Sequence, residues 1–157
     1  MMGLLAEALS GLSAKLAPTF AEAGLAEIDF ETLIRLGRSP RHSLRMSDLA
    51  AQTCMSTSGV TRVVDRLERD GLVARRTCAT DRRALYAELT EAGMRRLEEV
   101  LPKHLDDIET WFTGVLTDEQ RAALVDTLRI VRDVVRPCAT AGATVPQQLA
   151  RSHRVTG

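Results

Sequence analysis

Apolar residues recur every three or four positions along much of the chain, which is the spacing of one face of an α-helix. The pattern predicts a first helix that stops at Pro18 and a second from about Asp29 to Gly37. Two short helices follow on either side of a turn at 53–55, and Ser56 is placed to cap the second of them. The apolar face of that helix consists of Val60, Val63, Val64 and Leu67.

The apolar spacing changes to alternation after Gly71, a residue suited to the left-handed backbone that ends many helices. Residues 72–77 and 84–90 predict two β-strands, joined by the polar segment 78–83. The sequence therefore predicts a β-hairpin directly after the pair of short helices.

Helical spacing returns after the hairpin and continues to Val115, with an expected kink at Pro102. Thr117 and Gln120 have the spacing of a capping box for a last helix. Its apolar residues are Leu124, Leu128, Val131 and Val135. Residues 137–157 are small and polar and contain proline and glycine, which predicts a flexible tail. The predicted fold is mainly α with one small β-hairpin.

The chain has 157 residues, of which 45% are hydrophobic and 27% charged, as is typical of a globular domain. No apolar run approaches the roughly 20 residues that a membrane-spanning helix needs. The N-terminal segment lacks a basic start and carries Glu7 within its apolar stretch, which argues against a secretory signal. Three widely spaced cysteines offer no disulfide framework, so a soluble cytoplasmic protein is predicted.

The net charge of the whole chain is zero, but the charges are unevenly distributed. Residues 35–83 contain eleven arginines and five acidic residues, a net charge of +6, so the flanking segments together carry −6. Such a basic block favours a surface for a polyanion, although charge runs also lie on ordinary solvated surfaces.

The helix capped by Ser56 combines its apolar face with a polar face of small hydroxyl residues and arginines. Hydroxyl side chains at a helix N-terminus let backbone N–H groups approach phosphate, and arginine reaches a guanine edge or a phosphate. The alternative is that the hydroxyls only cap the helix and the arginines are solvated. The candidate DNA-binding residues on this helix are Ser56, Thr57, Ser58, Thr61, Arg62 and Arg66.

The hairpin loop places two arginines at a projecting tip, where a guanidinium can enter a minor groove. Arg82 and Arg83 are the candidate contacts, and Asp81 is expected to pair with an arginine and fix its direction. The alternative for this loop is a polar surface turn. Together with the helix pair, the hairpin predicts a winged helix-turn-helix that binds double-stranded DNA in both grooves.

A close resemblance to the MarR (multiple antibiotic resistance regulator) family is carried by two segments, LAAQTCMSTSGVTRVVDRLERDGLVARR and ATDRRALYAELTEAG. The matching residues are Ser56, Val60, Thr61, Arg62, Asp65, Arg66, Leu67, Gly71, Leu72, Val73, Arg75, Asp81, Arg82, Arg83, Leu89, Thr90 and Gly93. The similarity also covers the order of the helices from Leu4 to about Arg136.

The resemblance implies a homodimeric transcription factor, commonly a repressor that binds a pseudo-palindromic operator and releases it when a small effector binds. It implies dimerisation through residues 1–34 and 91–136, and a winged helix-turn-helix module at 35–90. The apolar stripes of the first and last helices fit such an interface, although an intramolecular bundle needs the same stripes.

One departure from the family pattern is Cys54, in the turn between the two short helices, where relatives usually have glycine. A left-handed backbone at this position costs a cysteine about 1 kcal/mol relative to glycine. Some relatives sense oxidants through cysteine, so a redox-sensing regulator is an alternative that involves Cys54 or Cys78. The simpler interpretation of Cys54 is a small buried apolar residue.

No motif indicates an enzyme, a metal site or a cofactor, since the histidines and cysteines are scattered without ligand spacing. A protein-protein adaptor that has lost DNA binding is a further alternative, and the intact Thr61 and Arg62 argue against it. Phe30, Trp111 and Phe112 are candidates either for an effector pocket or for the core.

Overall fold

The computed structural model describes residues 1–77 and 84–140. Its helices are α1 (Met2–Glu22), α2 (Glu27–Gly37), α3 (Met46–Gln52), α4 (Thr57–Arg69), α5 (Glu91–Trp111) and α6 (Asp118–Val135). Its antiparallel strands are β1 (Ser43–Arg45), β2 (Val73–Thr77) and β3 (Leu85–Leu89), in the order β1-β3-β2. The predicted mainly α fold with a small β-hairpin is confirmed, and β1 adds a third strand to it.

The hydrophobic core contains residues from each of the helices α1, α2, α3, α4 and α5 and from the inner face of the sheet. Helix α4 contributes the four apolar residues that its sequence pattern indicated, at positions 60, 63, 64 and 67. Gly71 follows with a φ of 73°, the left-handed conformation expected after a helix. The core therefore fixes α4 against the β2–β3 hairpin, which is the relation that a winged helix-turn-helix requires.

Helix α1 continues through Pro18, so the predicted helix end at this residue is wrong. A proline inside a helix removes one backbone hydrogen bond and costs about 3 kcal/mol. The turns around it bury Leu16, Thr19 and Phe20, and the Thr19 hydroxyl hydrogen-bonds the carboxylate of Asp107 on α5. Packing of α1 on the core outweighs the loss at the proline.

Helix α5 ends at Trp111 rather than at Val115 as predicted. A short 3₁₀ turn follows, and a Cβ on Gly114 would overlap the carbonyl oxygen of Glu109. The close approach of the turn to α5 therefore requires glycine. The turn leads into α6, whose N-terminus has the predicted capping box at Thr117.

None of the 18 residues of helix α6 is buried against the part of the chain that the structure describes. Leu128 is 43% exposed, Val131 50% and Val135 67%, so the predicted apolar stripe faces away from the core. Helix α1 likewise exposes Leu4 and Leu9. The stripe of α6 and the N-terminal part of the α1 stripe are therefore not covered by residues 1–77 and 84–140.

Two groups of sequence predictions lie outside the described residues. The first concerns the hairpin loop with Cys78, Asp81, Arg82 and Arg83, and the second concerns residues 141–157 of the predicted tail. Within the described ranges, no helix has the length and apolarity needed to cross a membrane.

Candidate nucleic-acid interface

Hydroxyl side chains cap and line the first turn of α4. The Gly59 N–H donates to Ser56 Oγ at 3.1 Å, and Ser58 Oγ lies 3.1 Å from the same atom. Thr61 Oγ1 donates to the carbonyl oxygen of Thr57 at 2.8 Å. Ser56 thus has the predicted capping role, and the short side chains leave the positive end of the helix accessible to an anion.

The outward side of α4 brings together five of its six sequence-predicted residues. Exposed side chains are those of Ser56, Thr57, Ser58, Thr61 and Arg62. Arg62 makes no ion pair with any residue that the structure describes, so its guanidinium is available to an external acceptor. The arrangement offers backbone N–H groups, hydroxyls and one guanidinium on one surface, the donors that bind phosphate and base edges.

Arg66, the sixth predicted residue, pairs with a buried carboxylate, and its own side chain is 41% exposed. Its Nε donates to both oxygens of Asp29, at 3.1 and 3.0 Å, and Nη2 also contacts Asp29. These hydrogen bonds raise the pKa of Arg66. The Asp29 side chain is only 5% exposed and accepts the Ala26 N–H at the start of α2. Arg66 therefore ties α4 to α2, a role that the sequence pattern did not reveal.

Arg66→Gln is expected to lower the free energy of unfolding by about 1–3 kcal/mol, because it leaves the buried Asp29 carboxylate without its charged partner. Arg62→Gln is the matched control on the same helix. Its exposed side chain predicts a change below about 0.5 kcal/mol. Urea unfolding followed by circular dichroism measures both, and equally small losses for the two variants would contradict the structural role of Arg66.

Arg75 of β2 contacts the exposed side of α4 and was not singled out as a functional residue by the sequence pattern. Its Nη2 donates to Asp65 Oδ1 at 2.6 Å and to the Thr61 carbonyl oxygen at 3.2 Å, while Nη1 bonds Glu68. Burial alone would lower the pKa of Arg75, but the hydrogen bonds to Asp65 and Glu68 raise it above its ordinary value. The guanidinium holds α4 against the hairpin. The signal in the sequence is the two acidic residues one helical turn apart.

A cavity of about 250 Å³ lies between α1, α2 and α5. The rings of Phe20 and Phe30 have centroids 5.1 Å apart, and the Phe30 ring meets His104 edge-on at 4.9 Å. Nδ1 of His104 is buried without a hydrogen-bond partner among the described residues, and burial lowers the pKa of this imidazole. The lining residues are Leu16, Phe20, Glu27, Phe30, Glu31, Ile34, Arg35, Arg38 and His104.

The other two aromatic candidates for a pocket lie elsewhere. Trp111 is 48% exposed, and Lys15 Nζ lies 4.2 Å from its ring centroid. Phe112 is half-buried and does not line the cavity. Phe30 is thus the one sequence candidate that the structure places in this cavity.

Cys54 has a φ of 62°, so this turn has a left-handed backbone at a residue that is not glycine. Its side chain is exposed, so the interpretation of Cys54 as a buried apolar residue is wrong. Cys138 is also exposed and free. Residues 1–77 and 84–140 contain no group of three or more histidine, cysteine or acidic residues placed to hold a metal ion.

Residues 26–85 match the profile of the MarR family. The HTH-type transcriptional repressor YetL of Bacillus subtilis is 35% identical over 109 residues, which are 69% of this chain and 65% of that protein. The chain spans 55% and 53% of two further curated relatives, about half of their length.

Two solved structures share both the fold and part of the sequence. Sco3205 of Streptomyces coelicolor, a MarR family transcriptional regulator in complex with DNA, has a TM-score of 0.82 and 32% identity over 87% of this chain and 89% of that one. BpsR of Bordetella bronchiseptica, whose DNA binding is regulated by 6-hydroxynicotinic acid, has a TM-score of 0.75 and 26% identity over 85% and 93%. Because the matched family consists of transcriptional regulators, the prediction that the chain is not an enzyme is confirmed. The chain belongs to the MarR family of transcriptional regulators.

Proposed function

We propose that the chain is a cytoplasmic, homodimeric repressor that binds a pseudo-palindromic DNA operator. The observation that carries this proposal is the outward side of α4, where a capped helix N-terminus presents hydroxyls and the exposed side chain of Arg62. In the proposed complex α4 enters the major groove, and Arg82 and Arg83 of the hairpin loop enter the minor groove with Asp81 orienting them. The Streptomyces coelicolor relative, which was solved in complex with DNA, supports DNA binding by this chain.

The homodimer is supported by the exposed apolar stripes of α1 and α6. A second copy of the chain supplies the complementary surface, because a two-fold interface brings the same patch of both copies together. Residues 1–34 and 91–136 are the proposed dimerisation segments, and residues 35–90 are the DNA-binding module. Two modules related in this way bind half-sites about one helical turn of DNA apart.

The cavity between α1, α2 and α5 is the proposed effector site. Its phenyl rings provide apolar walls, and Arg35, Arg38 and His104 provide donors for an anionic group. The compound that regulates the Bordetella bronchiseptica relative, 6-hydroxynicotinic acid, has an aromatic ring and a carboxylic acid group. We infer a small aromatic carboxylate as the effector, whose binding releases the operator.

Arg83→Ala is expected to weaken operator binding by about 1–3 kcal/mol, because it removes a charged contact in the minor groove. The measurement is a fluorescence-anisotropy titration with a duplex from the region upstream of the chain's own gene. Arg129→Ala is the control, since this exposed arginine lies on α6 and pairs with Asp126. An unchanged affinity for Arg83→Ala would remove the hairpin loop from the proposed interface.

Redox sensing through cysteine is the second candidate function, and the exposed thiol of Cys54 beside the α4 N-terminus is the observation that favours it. Oxidation at this turn would act directly on the helix proposed to enter the major groove. The test is to titrate peroxide into a reduced protein–DNA complex. Release of the DNA without any effector would support redox sensing, and unchanged DNA binding would contradict it.

A further inference from the structure

The outer face of the sheet carries three side chains in one row. Arg45 of β1 is paired with Tyr86 of β3, and Tyr86 is paired with Arg76 of β2. Residues directly opposite in antiparallel strands project from the same face, so the three side chains lie next to one another. We call Arg45, Tyr86 and Arg76 the sheet row.

We propose that the sheet row is a second phosphate-binding surface for duplex DNA, in addition to α4 and the hairpin loop. This inference rests on the proposed function, because it extends the same interface. In the proposed complex the sheet row binds phosphates of the DNA backbone beside the minor groove that the hairpin loop enters.

The position of the sheet row places it next to the proposed interface. Strand β2 ends at Thr77 and β3 begins at Leu85, so Arg76 and Tyr86 are each one residue from the strand ends that border segment 78–83. Arg45 directly precedes α3, the first helix of the helix-turn-helix. The row thus connects the base of the hairpin loop to the start of α3.

Tyr86 has the hydrogen-bonding arrangement of a donor to phosphate. Arg45 Nε donates to Tyr86 Oη at 2.8 Å, and the guanidinium carbon lies 5.7 Å from the centre of the tyrosine ring. Because the phenol oxygen accepts this bond, its own O–H is directed to another acceptor. A phosphate oxygen is such an acceptor, and donation to an anion gives a strong hydrogen bond.

Arg76 is bound to a carboxylate that a phosphate can replace. Its Nε lies 2.9 Å from Glu88 Oε2 and its side chain is 72% exposed. An ion pair this exposed contributes little to stability, so exchanging the carboxylate for a phosphate has a small cost. Glu88 also repels an approaching phosphate. We therefore expect that neutralising Arg76 lowers the affinity for DNA and that neutralising Glu88 raises it.

The test measures anisotropy of the full chain with a 30-base-pair duplex of random sequence over a series of potassium chloride concentrations. Arg45→Gln and Arg76→Gln are each expected to reduce the slope of log K against log salt by about 0.9, the effect of one lost phosphate contact. Glu88→Gln is expected to raise affinity several-fold, and Arg76→Gln combined with Glu88→Gln to abolish that gain. Arg95→Gln on α5 is the control and should leave the slope unchanged.

A second measurement does not depend on how any variant folds. Tyr86 is the only tyrosine in the chain, so ¹³C-tyrosine labelling gives a single set of ring signals. We expect these signals to shift when the random duplex is added to the wild-type protein. Signals that stay unchanged at saturating duplex would overturn the role of Tyr86.

The outcomes separate the sheet row from the proposed function. If the wild-type chain binds DNA and Arg62→Gln weakens it, while Arg76→Gln and Glu88→Gln change neither affinity nor slope, the row is overturned and the DNA-binding regulator stands. If the wild-type chain binds neither the random duplex nor its upstream region, the proposed function and the row are both overturned.

Discussion

Replacing Leu128 by glutamate is expected to turn the proposed dimer into monomers and to weaken operator binding by a factor of about 100 or more. Leu128 lies in the middle of the apolar stripe of α6, which is exposed in the single chain. In a dimer the new carboxylate would be buried without a partner, at a cost of several kcal/mol. A monomer also lacks the second proposed DNA-binding module, and with it the increase in affinity by a factor of about 10²–10⁴ that two linked binding sites provide.

Sedimentation velocity measures the oligomeric state of this variant, and anisotropy measures its operator affinity. Ala122→Glu is the matched control, because it adds the same charge at an exposed position about 120° around α6 from Leu128. The control is expected to remain dimeric and to bind DNA like the wild type. A Leu128→Glu protein that remains dimeric would contradict the proposed interface.

Gly93→Ala is expected to lower the free energy of unfolding by about 3 kcal/mol, the upper end of the usual cost of overpacking. A Cβ at Gly93 would overlap the carbonyl oxygen of Leu72 and lie 2.7 Å from Leu89 Cδ1. The backbone cannot yield easily, because Thr90 Oγ1 donates to the Gly71 carbonyl oxygen at 2.7 Å and accepts the Gly93 N–H at 3.0 Å. The start of α5 therefore packs tightly against the turn that ends α4.

Thermal unfolding followed by circular dichroism tests this variant, and the expected loss corresponds to a fall in Tm of about 6–12 °C. Gly11→Ala is the control within helix α1, where an added Cβ meets no atom within 4 Å. It is expected to stabilise the chain by up to about 1 kcal/mol through helix propensity. A Gly93→Ala protein as stable as the wild type would show that α5 and the turn do not pack this closely.

The elements that the sequence predicted well are those set by local chemistry. The start of α4 follows from the capping hydroxyl of Ser56, and its end from the left-handed Gly71. The two hairpin strands lie within one residue of their predicted bounds, because alternation of apolar residues is a local signal. The exposed donors of α4 follow from the same helical periodicity, which also identifies the buried side.

Features that depend on distant residues were not predictable in the same way. Strand β1 has only three residues, too few for alternation to show. Arg66 was expected to face DNA, but its partner Asp29 lies 37 positions earlier in the chain. The continuation of α1 through Pro18 depends on contacts with α5, which no local pattern contains. In each case tertiary packing decided between conformations that the local sequence left open.

On α4, the residues that hold the helix in place are different from the exposed donors. The helix is held by its buried apolar residues, by Arg66 and by Arg75, none of which lies among the exposed donors. Thr57, Ser58 and Arg62 can therefore be exchanged with little effect on stability. If these three positions read the operator as proposed, duplicated or engineered copies of the gene can acquire a new operator through them while they keep one scaffold.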